Sequence, residues 1–489
     1  VATEEDVLSC EYRKSVLDEI CTVENDYRKN ESRRRFEVYN NNIHEFVKDE
    51  LVREYDYATV EKFRTQTSIN LVPKVINEQA SIYKNSPKRN FYGLTEDQEQ
   101  YVLDKYDNFR YDISLKKSNK YFKLQDQGLL QIIPNSNMEL KARFLQPHHY
   151  DVIPSDDDVT KPMAVIINLL NEQRFISTYQ DSTERKTSRD FMDGKIADWD
   201  DQRRFKARFT WYTDNYNFIT NGFGDIVSDE SDIENSLGEL PFIEIADEAE
   251  KDFRYWIFRE SLLTRFQLDF CKDLTDLAET IKMQGFAMGI LFAKNKPESV
   301  NVGPRKFMYI PLDPDNPELK PQFDFKNPSP NIVAQMNVIL DKIAMFLSSY
   351  GIDPKSVGGV TNVQEFNSGV QMLLAQIKRF EASNDDLQLF KWVEQKLFKK
   401  FIKWNNLMAT NGIDGYQVLP EEAEVMVNYV KPQAIETQKE KEDRYIRLIE
   451  NGLSSRVRAI MDIEEVDRET AEKIIIEIDQ NEGMINEVV

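Results

Sequence analysis

The spacing of apolar positions divides the chain into helical and sheet-like stretches. Between residues 12 and 47, Val16, Leu17, Ile20, Val23 and Tyr27 recur three or four positions apart, which is the repeat of one helix face. Residues 57–84 repeat it through Val60, Phe63, Leu71, Val72, Val75 and Ile76, with Pro73 expected to kink or divide the helix. The run Ser86-Pro87-Lys88-Arg89-Asn90 closes that stretch. Shorter helices are predicted over 95–106 and 117–129. Alternation then takes over, predicting strands at 129–134, 141–145, 152–154, 163–170 and 174–179. It continues through 205–219, where Phe209, Trp211, Tyr212 and Tyr216 suit a partly buried sheet. The acidic stretch 225–234 reads as a solvated loop.

A second helical block is expected from about residue 248. Ile257, Leu262, Phe266, Leu268, Phe270, Leu274, Leu277 and Ile281 spread around much of its surface, so this helix should touch neighbours on several sides. Residues 294–330 carry prolines at 297, 304, 311, 314, 317, 321, 328 and 330. They read as an irregular excursion with short strands such as 306–310. Helix resumes over 331–350. Gly351, Gly358 and Gly359 make 351–359 a poor helix interior. A very long helix is predicted over 367–408, a strand over 424–429, and helices over 435–451, 454–461 and 468–482. There are no tandem repeats.

The 489 residues correspond to about three domains by length alone. A hydrophobic share of 40%, with 29 Phe and 21 Tyr, supplies ample core and excludes a wholly disordered chain. The formal charge of −22 argues against a protein that grips nucleic acid through a basic face. It leaves room for one that surrounds nucleic acid without gripping it.

Cysteine occurs at Cys10, Cys21 and Cys271, and histidine at His44, His148 and His149. With no CxxC and no HExxH, neither a disulfide scaffold nor a zinc site is expected. The opening VATEEDVLSCEYRK has no apolar signal stretch. The longest strongly apolar windows, such as 283–293, reach about ten residues, against roughly twenty for a bilayer span. A soluble intracellular protein without a membrane partner is expected.

Catalytic signatures are missing: there is no GxxxxGK[ST], GxGxxG or GxSxG. Asp156, Asp157 and Asp158 read as a solvated turn rather than as ordered metal ligands. His148 and His149 would point to opposite faces of a strand. Ser454 and Ser455 suit a helix cap, and Cys271 a packed side chain. No catalytic residue, cofactor or metal is expected, and the chain is not read as an enzyme.

Segment order carries more information. LGELPFIEI at 237–245 follows the acidic loop and precedes FQLDFCKDLTDLAETIKMQGFAMGILFA. Then come the proline-rich excursion, NIVAQMNVILDKIAMFLSSYGI, a glycine-rich gap, and NVQEFNSGVQMLLAQIKRFEASNDDLQLFKWVEQKLFKKFIKW. This order resembles the portal (head–tail connector) proteins of tailed bacteriophages, in their large mainstream family, over residues 40–480. Gly238, Leu240, Pro241 and Phe242 are similar to the family's G-x-[ILV]-P strand. Residues 294–330 are similar to its hairpin between two helices. Asn367, Ser368, Gly369 and Val370 are similar to its S-G-x-A step into a long helix, with Gln371 standing where a small residue is common.

The resemblance implies an α+β, mostly helical fold with wing, stem, clip and crown, assembling as a ring around an axial channel. The homo-oligomer usually has about twelve subunits in that family. Residues 1–255 and 367–430 would form the wing, 256–290 and 331–350 the stem, 291–330 the clip, 351–366 a tunnel loop and 431–489 the crown. The ring would sit at the portal vertex of the virion after assembly in the host cytoplasm. Its partners would be the major capsid protein, the packaging ATPase (large terminase), a head–tail adaptor or neck protein, and double-stranded DNA held weakly in the channel. Candidate channel-lining residues are Glu260, Asp269, Asp273, Asp276 and Glu279, with Lys272, Lys282 and Lys342 as sparse phosphate contacts. Gly351, Lys355, Gly358 and Gly359 are candidates for the tunnel loop, and Asn367, Ser368 and Gly369 for the loop–helix junction. Pro304, Arg305, Tyr309, Pro311, Pro314 and Pro317 are candidates for clip docking. Lys391, Lys396, Lys399, Lys400 and Lys403 on the long helix are open to DNA, to capsid or to neither. The alternative is another head or neck adaptor without a DNA-conducting tunnel.

Overall fold

In the computed structural model, the described residues are 3–20, 27–135, 137–168, 207–227, 233–247, 251, 254–284, 288–293, 307–311, 322–326, 332–352, 384–429, 438–452, 454–464 and 470–477. Among them the fold is mixed α+β with small, mostly antiparallel sheets. Contacts divide the chain into one unit of Val1–Gln364 with Glu381–Val430, and a second of Glu365–Phe380 with Lys431–Val489. The predicted strand at 174–179 lies outside the described residues.

The first helical stretch forms α1 (Cys10–Ile20), α2 (Tyr27–Tyr39) and α3 (His44–Val52). The next does not form one kinked helix. It contains a single turn, α4 (Tyr57–Val60), and α5 (Val72–Gln79), with a non-helical segment between them. Pro73 sits in the first turn of α5, where its missing N–H costs nothing. The intervening backbone is held by side chains of a later helix: Arg64 N–H donates to Glu279, Gln66 N–H to Thr275 and Leu71 N–H to Gln267. These tertiary bonds replace the helical ladder.

Thr95 and Gln98 form a reciprocal capping box that starts α6 (Glu96–Phe109). Arg110, in the left-handed region at φ 56°, separates α6 from α7 (Tyr111–Gln125). Asp126, at φ 65°, ends α7, so β2 begins at Gln127 and not after a helix running to 129. The central strand β2 (Gln127–Pro134) pairs antiparallel with β3 (Leu140–Leu145) and with β8 (Phe242–Ala246). A second sheet runs β4 (Tyr150–Pro154), β5 (Pro162–Asn168), β6 (Phe209–Tyr212) and β7 (Asn217–Thr220), each antiparallel to the next. β1 (Lys88–Tyr92) pairs antiparallel with β12 (Glu424–Asn428), joining distant parts of the sequence through Asn90 and Met426.

Three further helices follow. α8 (Leu262–Gln284) and α9 (Ile332–Ser349) are separated in sequence by β9 (Met288–Ala293), β10 (Phe307–Pro311) and β11 (Gln322–Lys326). α10 (Asn384–Thr410) buries Phe390, Val393, Leu397, Phe398 and Phe401 in the largest core, against α6, α7, β2 and the β1–β12 pair. A second core joins α3, α5, α8 and α9. In the second unit, α11 (Gln438–Glu450) and α12 (Arg456–Ile463) are linked by Tyr445 donating to Asp462 at 2.7 Å. A further short helix covers 470–477. Ser455 caps α12 by accepting from Arg458 N–H, the role its sequence position suggested.

Candidate functional site

The α8–α9 pair and the sheet encoded between the helices carry most of the described candidate residues. The start of α8 is set by tertiary bonds. The helix was expected from about 248, yet residues 254–261 are non-helical. Gln127 accepts the Ile257 N–H, Glu31 accepts the Ser261 N–H, and the Ser261 hydroxyl takes the Thr264 N–H at the first turn. Arg259 binds Asp126 there, and Arg35 binds Asp126 and Glu31. This partly buried ionic knot fixes where α8 leaves the body.

From there α8 packs on the chain's own N-terminal helices. Leu263, Leu268, Phe270, Cys271 and Leu277 are buried, and burial pushes the Cys271 thiol up to about 11. Such a thiol is a packing group and not a nucleophile at neutral pH. α9 lies against α8 through Ile339, Ile343 and Leu347 and through the stacked rings of Phe266 and Phe346. α9 leaves apolar side chains uncovered beside this contact: Val333 is 72% exposed, Val338 56% and Met345 70%. The sequence showed apolar windows of only about ten residues. α9 nonetheless spans 18 residues at a mean hydropathy of 1.3, long and apolar enough by those measures to cross a membrane. It also carries Asp341 and Lys342, and Lys342 is bound to α8.

The acidic candidates do not share one face. Glu260 precedes the helix and lies near Arg34 and Arg265. Asp269 is exposed, Asp273 and Asp276 are half-buried, and Glu279 is buried at 8% exposure. Burial raises the Asp276 carboxyl above the usual range although Tyr55 donates to it. Asp273 and Asp276 line a groove of about 400 Å³ between the helices, with Gln335, Val338 and Lys342 on the α9 side. The basic candidates are engaged: Lys272 with Glu54 at 2.6 Å, Lys282 with Glu279 at 3.0 Å, and Lys342 with Asp273 at 2.7 Å.

Tyr309 and Pro311 lie on β10, which pairs parallel with β9, while β11 pairs antiparallel with β9 on its other edge. Pro304, Arg305, Pro314 and Pro317 lie outside the described residues, as do Lys355, Gly358, Gly359, Asn367, Ser368 and Gly369. Gly351 is described: it follows α9 at φ 66°, the left-handed stop favoured by glycine.

On α10, Lys400 donates to the Leu240 carbonyl and, with Lys403, binds Glu239. Burial lowers the Lys400 pKa below the usual lysine value. Lys399 donates to the Glu421 carbonyl. These lysines therefore hold the Gly238–Pro241 stretch and the approach to β12 in place, a role that a charge run in sequence does not disclose.

Asp158 of the three-Asp run accepts from Thr160 and Lys161, the pattern of a solvated turn. Among the described residues, no three His, Cys, Asp or Glu side chains gather as a metal site. His148 and His149 do not diverge to opposite faces. They lie in the β3–β4 connection with ring centroids 4.1 Å apart.

No family model matches the sequence, and no curated protein matches it. Among solved structures, a chain from the virion of a native gene transfer agent particle aligns over 80% of this chain and 88% of that one. The identity is 10% and the TM-score 0.33, a weak and partial likeness that establishes no shared fold.

Proposed function

We propose that this chain is a virion structural protein of the portal type: one subunit of a ring at a capsid vertex, through which double-stranded DNA passes during packaging and ejection. The observation that carries the reading is the exposure of apolar side chains on α9, Val333 and Met345, while Ile339, Ile343 and Leu347 pack on α8. An exposed apolar face of this kind calls for a neighbour, and a closed homo-oligomer supplies the same neighbour to every copy. The segment order supports it, with two long helices flanking a small sheet at the position of the family's clip. In this reading the β9–β11 region meets the packaging ATPase and later the head–tail adaptor, the capsid protein contacts the wing, and the role is structural and not catalytic.

The second reading is a head or neck adaptor with no DNA-conducting tunnel. One observation favours it: α8 turns Lys272, Asp276 and Glu279 toward its own N-terminal segment, through Glu54, Tyr55 and Arg64. Deleting residues 297–328 separates the two. A portal chain so cut still forms rings in part but attaches neither motor nor tail. Normal mature virions from the deletion defeat the portal reading of this segment.

A further inference from the structure

β8 stands at the end of its sheet, and among the described residues its edge away from β2 carries no strand. The register says which groups that edge presents. Ile132 N–H donates to the Pro241 carbonyl at 3.0 Å, and the Ile132 carbonyl, denied a proline N–H, takes the Trp404 indole N–H at 2.9 Å. Residues of an antiparallel pair alternate between bonded and unbonded positions. Ile243 and Ile245 therefore bond to β2, while Phe242, Glu244 and Ala246 turn their N–H and C=O groups outward. Such a row is a template for a further strand.

α10 runs beside this edge and makes it a groove. Lys400 donates to the Leu240 carbonyl just before β8. Toward the far end of the strand, a pocket of about 200 Å³ lies between Glu244 and Ala246 and the α10 residues Gln388, Leu389 and Trp392. Trp392 is 41% exposed there, and the Lys396 ammonium lies 5.7 Å from its ring. Lys391 and Lys396 are exposed and, among the described residues, in no ion pair, unlike Lys400 and Lys403, which bind Glu239. The Glu244 carboxylate is already neutralised by Lys251 and accepts from Gln127 at 3.0 Å. The groove is thus locally basic in a chain of net charge −22.

We propose that the groove between β8 and α10 binds an extended acidic segment of a partner protein by strand addition. The segment's backbone bonds to the outward groups of Phe242, Glu244 and Ala246. One apolar side chain enters the pocket beside Leu389 and Trp392. Side chains two positions to either side share its face of the added strand, and acidic ones there meet Lys391 and Lys396. Main-chain bonds give the affinity, and the pocket and lysines select the sequence. The proposal does not depend on ring formation.

The test is fluorescence anisotropy of a fluorescein-labelled peptide, Thr-Glu-Thr-Leu-Thr-Glu-Thr, titrated with the purified full chain. Wild type binds it saturably. W392A binds it about tenfold or more weakly. K391Q/K396Q binds it about threefold more weakly and with a flatter salt dependence. Backbone pairing is read separately. A strand offers its N–H groups alternately to its two sides, so N-methylating one alternate set of peptide amides abolishes binding and methylating the other set leaves it. A246P removes one outward N–H from an edge strand, where proline is tolerated, and weakens binding. If A246P melts early, the methylated peptides carry that part of the test. Equal effects of the two methylated peptides, or wild-type binding by W392A, overturn the proposal. Displacement of the peptide by a short DNA duplex assigns the lysines to nucleic acid and overturns it too. Loss of self-association in W392A makes a second copy the occupant and overturns it likewise.

Discussion

Phe266 of α8 and Phe346 of α9 lie face to face, with ring centroids 3.8 Å apart and planes within 2°. Tyr350 extends the contact, 5.0 Å from Phe346. The stack stands near the N-terminus of α8 and the C-terminus of α9, where the ionic knot of Arg35, Asp126 and Arg259 anchors the pair. It therefore fixes the spacing of the helices at the end attached to the body. The single variants F266A and F346A each lower stability. The double variant loses less than their sum, with a coupling of about 0.5–1.5 kcal/mol in urea unfolding. Strict additivity would show that the rings do not act as a pair.

Glu394 on α10 is fully buried and receives Arg89 in a two-pronged pair, Nε to Oε2 at 2.7 Å and Nη2 to Oε1 at 2.9 Å. The Tyr83 hydroxyl donates to the same Oε1 at 3.0 Å. Removing Glu394 leaves the buried Arg89 with Asp112 alone, 2.6 Å away, so E394L costs about 3 kcal/mol of unfolding free energy. E394Q keeps an acceptor and costs less. A loss under about 1 kcal/mol for E394L would place the pair in solvent contact.

Gly128 lies in β2 beneath an aromatic ring. A Cβ built there falls 2.1 Å from Phe144 Cζ and 2.8 Å from the Leu145 carbonyl oxygen. G128A therefore destabilises by about 1–3 kcal/mol through overpacking. The companion F144L opens space and recovers part of the loss. Chemical denaturation of the three variants reads the effect, and an unchanged midpoint for G128A contradicts it.

The His148–His149 pair makes stability sensitive to acid. The ring of His148 is buried with Nδ1 2.8 Å from the Ser32 hydroxyl, and His149 Nδ1 accepts the Gln146 N–H at 3.2 Å. Burial holds His148 well below the usual imidazole range, reinforced by His149, Arg33 and Arg28. Burial also lowers His149 to about 4, with Arg143 and Arg33 adding to it. Arg28 and Lys29 are neutralised by Asp151 nearby. The unfolded chain takes up protons near pH 6.5 while the folded pair stays neutral. The contribution is therefore complete above about pH 6.5 and is lost as pH falls toward about 4. Urea midpoints between pH 7.5 and 4.5 should fall less steeply for H148N/H149N than for wild type. Parallel pH curves would remove the pair as the source.

Much of this fold was legible in the sequence wherever local pattern and tertiary packing agree. The T-x-x-Q box of Thr95 and Gln98 opens a helix, and the alternation at 129–145 forms paired strands. What failed did so for tertiary reasons. The helical spacing of Val60, Phe63, Leu71, Val72, Val75 and Ile76 spans 57–84, but side chains of α8 take the backbone N–H groups of Arg64, Gln66 and Leu71 within it. The apolar run of β9 cannot be told from helix by period alone, and it becomes a central strand because β10 and β11 flank it. The acidic candidates on α8 share a charge but not a setting. Charge does not say that Glu279 faces Arg64 while Asp269 faces solvent. Lys400 and Lys403 looked like a free basic run until Glu239 was found beside them.

The proposed assembly is a closed ring with an open axis. End-on electron microscopy of the purified full chain tests it most directly, because one view reads closure, symmetry and bore together. Rings with a central hole wide enough for a DNA duplex are the expected result. A monomer under assembly conditions, or a ring sealed along its axis with no open form, would contradict it.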